Sequence, residues 1–203
     1  MDPRDLFGTT SAVVGMVHLP PLPGAPRSDG DRSDLRGRAL ADALTLAEGG
    51  VDGLLVENFG DAPFYPEDVP NHVVAEMTAV ARELAIGIDR PLGVNVLRND
   101  AEAALSVAAA AGGSFVRVNC HAGAQVSDQG ILEGQAHETM RLRDRIDADV
   151  AVLADVDVKH ATRLGDADLA AVAVETVERG LADGLVVTGP ATGEAAAADD
   201  LVT

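Results

Sequence analysis

Short apolar runs alternate along this chain with stretches whose apolar residues recur at helical spacing, and this alternation limits the possible folds. Six runs are candidate strands, and they cover residues 12–19, 51–58, 91–97, 114–119, 150–160 and 183–189. Helical patterns separate them, and Gly49 and Gly50 form a stop signal at the end of the helix that follows the first run. Strands that alternate with helices predict a parallel sheet with right-handed crossovers.

A weak internal repeat favours a barrel over a dinucleotide-binding sheet. The segment EGGVDGLLVEN (48–58) returns in altered form as ERGLADGLVVTG (178–189), and no GxGxxG fingerprint occurs. A closed barrel of this type has about eight βα units, whereas six are found here. We therefore expect an incomplete (β/α)8 TIM barrel, a single domain over residues 1–203 that is truncated at its C-terminal end. A smaller, complete doubly wound sheet is the alternative.

The charge of the chain excludes several classes of partner. Acidic residues number 33 and basic residues 15, for a net charge of -18, and the acidic residues are spread along the whole chain. We interpret this as adaptation to a salt-rich cytoplasm, where ions screen the self-repulsion, in preference to an acidic partner-binding surface. Nucleic acids and anionic membranes need basic patches, so neither is an expected partner. A single cysteine and the lack of a signal-peptide pattern also favour a cytoplasmic protein.

The segment LADVDVKH contains Lys159, the only lysine of the chain, next to two aspartates. Side chains alternate along a strand, so Leu153, Asp155, Asp157 and Lys159 share one face. The opposite face is apolar and should pack on the helices. The polar set is therefore predicted to point into the barrel, with Lys159 nearest the carboxyl end of the strand.

Other strands offer polar side chains at the same end, where barrels of this type have their active sites. The candidate catalytic residues are Lys159, Asp155, Asp157 and Glu57, and the candidate substrate-binding residues are His18, Asn58, Asn95, Arg117, Asn119 and His160. An ion network that only stabilises the fold is the structural alternative, but such networks rarely stabilise better than apolar packing.

Two catalytic roles suit Lys159. It could attack a carbonyl to form a Schiff base, or it could stay protonated and stabilise an oxyanion while an aspartate acts as general base. Neighbouring aspartates favour the charged amine, and hence the second role. Asp155 and Asp157 could instead hold Mg²⁺ together with Glu57, because hard oxygen ligands suit this ion. No metal-specific motif is present, so Mg²⁺ is the one cofactor left open.

Two features of the segment after the fourth strand need separate interpretation. Glu133 and His137 have the i,i+4 spacing of one helix face, which fits a surface pair better than a metal pair. Cys120 follows Asn119 and should face the helices as a buried, inert thiol. The long loops after strands one, two and four are expected to act as lids.

Several long motifs resemble the BtpA/SgcQ family. They are GMVHLPPLPGAP, VDGLLVENFGDAPF, GVNVLRND, FVRVN followed by HAGA, DQGILEGQAHETMRLR and ADVDVKHA, in this order over essentially the whole chain. The resemblance implies a TIM-like barrel. It links one branch to photosystem I biogenesis, through the stability of reaction-centre proteins, and another to a sugar-transport gene cluster. Family members continue past TGPATG through two further strands, whose loops in many barrels bind phosphate.

Three functions from different classes follow. The first is a metabolic enzyme with lyase, isomerase or nucleosidase-like chemistry, which acts on a small phosphorylated sugar or nucleoside-derived compound. The second is a non-catalytic assembly or stability factor of the photosystem I biogenesis type, and the third is an inactive truncated remnant. The expected partner is a small-molecule substrate, and self-association into a homo-oligomer is left open.

Overall fold

The computed structural model describes residues 2–166, 168–189 and 195–197. In chain order the elements are α1 (Pro3–Phe7), β1 (Val14–His18), α2 (Arg32–Glu48), β2 (Gly53–Glu57), a 3₁₀ turn (Phe59–Asp61), α3 (Asn71–Gly87), β3 (Leu92–Asn95), α4 (Ala101–Ala111), β4 (Phe115–Val118), β5 (Ala124–Ser127), β6 (Gly130–Glu133), α5 (Ala136–Arg145), β7 (Ala151–Asp155), β8 (Ala161–Arg163), α6 (Leu169–Glu178) and β9 (Gly184–Val186). None of the helices in these ranges is long and apolar enough to cross a bilayer.

Six strands form one parallel sheet in the order β1-β2-β3-β4-β7-β9. Each of them lies inside one of the six predicted runs, so the expectation of an α/β fold with a parallel sheet is confirmed. The register places His18 opposite Glu57, and Glu57 opposite Asn95. Residues that are opposite in a parallel sheet point to the same side, so these three polar side chains share one face at the carboxyl ends of the strands.

The other face of the sheet packs against the helices. The apolar positions that alternate with the polar ones are buried there with the inner faces of the helices: Leu54, Val56, Val94, Val116 and Val152 from the strands, and Met77, Leu84 and Leu105 from α3 and α4. Burial of each such side chain contributes roughly 1.5–3 kcal/mol. The predicted division into a helix-facing apolar side and an opposite polar side is thus present in β2, β3, β4 and β7.

Aromatic rings fill the amino end of the sheet face that carries the polar side chains. Phe7 from α1 packs edge-on against Phe115 with ring centroids 5.4 Å apart. A Cβ at Gly93 would lie 2.2 Å from the Phe115 ring, and one at Gly53 would lie 2.8 Å from Phe7. Two glycines therefore make room for two rings, and this end is closed by apolar packing. The polar side chains are left to the carboxyl ends.

A second, antiparallel sheet of order β6-β5-β8 corrects two expectations. The segment after β4 is a β5–β6 hairpin instead of an irregular lid, and α5 begins only at Ala136, so Glu133 and His137 do not share a helix. The predicted strand over 150–160 is also too long. It ends at Asp155, which pairs with Val186, and the chain then bends and turns into β8.

Candidate active site at the carboxyl ends of the strands

A cavity of about 200 Å³ lies at the carboxyl ends of β1, β2 and β4. Its apolar lining comes from Met16, Phe59, Phe64 and Leu97, and its polar lining from His18, Glu57, Arg98, Arg117, Asn119, Lys159 and His160. His18, Glu57 and Arg117 lie in the last two residues of their strands, and the other four polar residues follow β3, β4 or β7. The position matches the active-site end of (β/α) barrels.

Asp155 and Arg117 form the buried centre of the polar lining. The Nε and Nη2 groups of Arg117 donate to the two carboxylate oxygens of Asp155, each at 2.8 Å. Asn119 donates a third hydrogen bond from Nδ2 at 3.0 Å. The Asp155 side chain is fully buried, while 17% of the Arg117 side chain is exposed. Burial raises the pKa of Asp155, and the contacts from Arg117 and Asn119 oppose this rise.

Glu57 and His18 form a second pair at the edge of the cavity. Glu57 Oε1 lies 3.5 Å from His18 Nε2, and the His18 ring stacks on Phe59 with centroids 4.4 Å apart. Burial raises the pKa of Glu57, partly offset by the positive charge of Arg117. Burial and Arg117 lower the pKa of His18. These opposite shifts bring the pKa values of the carboxyl and the imidazole towards one another, which suits proton transfer between them.

Two asparagines carry buried polar atoms without a hydrogen-bond partner. In Asn95 both the Nδ2 donor and the Oδ1 acceptor lack one, and in Asn119 the Oδ1 acceptor does. Both residues are at most 3% exposed. An unpaired buried polar atom costs about 1–3 kcal/mol, so such atoms are expected to have a partner such as a substrate group or an ordered water.

Lys159 lines the same cavity, although it is not part of β7. The turn at 159–160 brings it there, with His160 in a left-handed conformation at φ 59°. The guanidinium of Arg98, in the turn after β3, donates from Nη2 to the Lys159 carbonyl oxygen at 2.5 Å. Arg98 was missed in the sequence analysis. Its position directly after a strand, in VLRND, was the available signal.

Asp157 and Asn58 are placed differently from the expectation. The Asp157 carboxylate is about half exposed and pairs with Arg163 of β8 at 2.6 Å, so it does not join Glu57 and Asp155. The reason is the bend after Asp155, which ends the strand alternation. Asn58 is buried and joins two loops, since its amide contacts Asp61 and the Leu97 backbone. It does not line the cavity.

The separation of Asp157 from the other carboxylates also bears on metal binding. Across the described ranges, no group of three or more His, Cys, Asp or Glu side chains is arranged to hold a metal ion. The trio of Glu57, Asp155 and Asp157 considered as Mg²⁺ ligands is therefore not assembled. Cys120 is buried outside the cavity, and burial raises the pKa of its thiol to about 12, which fits an inert side chain.

The fold is shared with a TIM-barrel enzyme of known structure. The 7,8-dihydropteroate synthase of Vibrio fischeri superposes with a TM-score of 0.60 at 16% sequence identity, over 91% of this chain and 64% of that enzyme. The chain thus spans just under two thirds of the enzyme's length. At this level of identity the likeness concerns the fold alone.

The chain belongs to the BtpA family, whose sequence model matches residues 9–203. It is 47% identical over 201 residues to the photosystem I biogenesis protein BtpA of Synechocystis sp., covering 99% of this chain and 70% of that protein. It is 46% identical over 199 residues to an uncharacterized protein of Pyrococcus furiosus, covering 98% and 75%. The family membership expected from the motifs is confirmed.

Proposed function

We propose that this protein is a metabolic enzyme that acts on a small phosphorylated sugar or nucleoside-derived substrate in the cavity at the carboxyl ends of the strands. The observation that carries the proposal is a buried, charged cluster around one cavity, together with the unpaired amide oxygen of Asn119 in its lining; Asn95 is not part of that lining. Groups with perturbed pKa values that converge on a cavity are typical of catalytic sites. The proposal also takes the parallel sheet as six of the eight strands of a (β/α)8 barrel. It further takes the protein as working in a salt-rich cytoplasm.

The contacts suggest a division of roles in the cavity. Both Asp155 oxygens are occupied by Arg117 and Asn119, so Asp155 acts as an anchor for these two side chains instead of as the general base. Glu57 makes no such contacts and is assigned the proton transfer, with His18 as its partner. Lys159 stays an ammonium group and stabilises negative charge on the substrate.

The reaction class follows from these roles. A carboxyl that can give and take a proton, next to a fixed cation, suits proton abstraction or bond cleavage beside a carbonyl or an anomeric carbon. The free amide oxygen of Asn119, in the cavity lining, suits a hydroxyl group of a sugar, which can donate a hydrogen bond to it.

A structural ion network explains less of the site. Such a network would pair each buried polar atom, because a partly satisfied network is less stable than apolar packing. Here two residues that line the cavity with Arg117 carry a buried atom without a partner, Oδ1 in Asn119 and Nε in Arg98. This pattern favours a role in binding.

A non-catalytic role in assembly is the second candidate, and the identity to a protein named for photosystem I biogenesis favours it. In that case a protein partner would be recognised by an exposed surface, and the groups in the cavity would be dispensable. The surface of the small antiparallel sheet, with Val126 44% and Ile131 55% exposed, is the place where such a partner would be sought.

The test is conversion of phosphorylated sugars and nucleosides, followed by mass spectrometry, with and without Mg²⁺. Glu57→Gln removes the proposed acid-base group and should lower turnover by about a hundredfold or more. The matched control is Glu76→Gln, because Glu76 is a largely buried glutamate on α3 that pairs with Arg32 away from the cavity. Equal turnover in the two variants would reject the proposed role of Glu57, and absence of any conversion would favour the assembly role.

A further inference from the structure

Arg98 is a buried cation without a carboxylate partner. It is 8% exposed, and its Nε lies buried without a hydrogen-bond acceptor. In the described part of the chain, its one side-chain hydrogen bond runs from Nη2 to the Lys159 carbonyl oxygen. No ion pair involves it within residues 2–166, 168–189 and 195–197, whereas Arg117 in the same cavity is matched by Asp155. Burial lowers the pKa of Arg98, and the more distant charges of Asp128, Asp155 and Glu57 oppose this.

Lys159 is the second unmatched cation of the cavity. The Lys159 carbonyl oxygen accepts the hydrogen bond from Arg98, and Lys159 lines the same cavity. Among the residues that the structure describes, no carboxylate pairs with its ammonium group. Removing charged groups from water is costly unless they are paired. Two cations in the lining of one cavity therefore form a site that an anion would stabilise.

We propose that Arg98 and Lys159 form a subsite for the phosphate of a small phosphate monoester, the substrate of the enzyme proposed above. A monoester carries a charge of about -1.5 to -2 near neutral pH, which balances two cations better than a single carboxylate does. The guanidinium fork of Arg98 presents parallel donors to phosphate oxygens, and Lys159 adds a point charge. The inference rests on the proposed function in that it assigns this cavity to a substrate.

The size of the cavity limits the rest of the substrate. A volume of about 200 Å³ equals that of about seven water molecules in the liquid, at about 30 Å³ each. This space accepts a phosphate and a short polyhydroxylated chain or a single sugar ring. With the phosphate at Arg98 and Lys159, the remainder of the substrate would contact Glu57 and Asn119, which line the same cavity.

The subsite is tested by titrating the protein with inorganic phosphate at fixed ionic strength and observing ³¹P NMR. Lys159→Met removes one cation, and Arg98→Lys keeps the charge but removes the planar fork. Each should weaken binding by about tenfold or more, because charged hydrogen bonds are lost. The control is Arg143→Lys, which changes an arginine that pairs with Asp183 and lies outside this cavity. It should bind phosphate like the parent chain.

Folding is monitored in parallel by thermal unfolding. Lys159 is only partly buried, and its side chain makes no hydrogen bond within the described ranges, so Lys159→Met should fold even if Arg98→Lys does not. Saturable phosphate binding that is unchanged in Lys159→Met, or no binding by the parent chain, would overturn the subsite. Displacement of phosphate by acetate at similar concentrations would overturn the choice of a phosphate over a carboxylate.

Failure of the subsite and failure of the enzymatic proposal give different results. Glu57→Gln removes a negative group from the cavity, so it should bind inorganic phosphate as tightly as the parent chain or more tightly. If no substrate is converted but phosphate binds through Arg98 and Lys159, the subsite is supported and the catalytic role is rejected. If conversion depends on Glu57 but phosphate binding is unchanged in the Arg98 and Lys159 variants, the enzymatic proposal is supported and the subsite is rejected.

Discussion

Replacement of Arg117 by methionine should destabilise the fold strongly, because it leaves Asp155 as a buried carboxylate without its cation. The Asp155 side chain is fully buried and receives two of its three side-chain hydrogen bonds from Arg117. Removing one partner of such a pair typically costs about 3–5 kcal/mol. For a chain of this length the loss corresponds to roughly 6–20 °C in unfolding midpoint.

The loss should depend on pH in a defined direction. Burial already raises the pKa of Asp155, and Arg117 opposes that rise. In Arg117→Met the pKa of Asp155 should rise further. As the pH falls, the folded chain then protonates Asp155 before the unfolded chain does, since the unfolded pKa is about 3.9. The destabilisation should therefore be largest near neutral pH and become smaller as the pH falls. Asp155→Asn in the same chain should recover most of the lost stability.

Urea unfolding in concentrated KCl measures these free energies by linear extrapolation. Arg143→Met is the control, since Arg143 and Asp183 are each 27% exposed and such a pair contributes about 1 kcal/mol or less. A loss in Arg117→Met that is no larger than in this control, or that does not change with pH, would refute the reasoning.

Two further predictions concern a carboxyl and a glycine. Because burial raises the pKa of Glu57, its charged form lowers the stability of the folded chain above the unfolded pKa of about 4.3. Glu57→Gln should therefore gain stability over the parent chain as pH rises from about 5 to 8, as measured by urea unfolding. Glu76→Gln should show no such gain. Gly93→Ala should lower stability by about 1–3 kcal/mol, because the added methyl group collides with the buried Phe115 ring. Gly37→Ala, at a position with open space on α2, should raise stability by about 1 kcal/mol. Equal unfolding midpoints for the two glycine variants would contradict this packing.

The parallel sheet could be predicted because its strands are buried on the helix side and alternate strictly. In β2 the apolar Leu54 and Val56 pack on helices while Glu57 ends the opposite face at the cavity. The same alternation correctly placed Arg117 and Asn119 beside one another. Local periodicity is sufficient wherever a strand is paired on both sides over its whole length.

The periodicity failed where strand pairing ends. Pairing of β7 with β9 stops at Asp155, so the chain bends and Asp157 pairs with Arg163. Lys159 reaches the cavity through a turn that no alternation rule describes. The β5–β6 hairpin was missed because its strands are only four residues long and β5 depends on distant contacts. These contacts are its pairing with β8 and the bond from the Val158 backbone to Gln125, which lies 33 residues away along the chain.

Binding of a small anionic substrate through Lys159, in the cavity at the carboxyl ends, can be measured by thermal unfolding. The unfolding midpoints of the parent chain and Lys159→Met are compared across a panel of sugar phosphates in concentrated KCl, where a ligand that binds only the folded state raises the midpoint. At least one ligand should raise the midpoint of the parent chain and have little effect on Lys159→Met. Equal shifts in both chains for all ligands, or no shift in the parent chain, would show that Lys159 does not bind such a substrate.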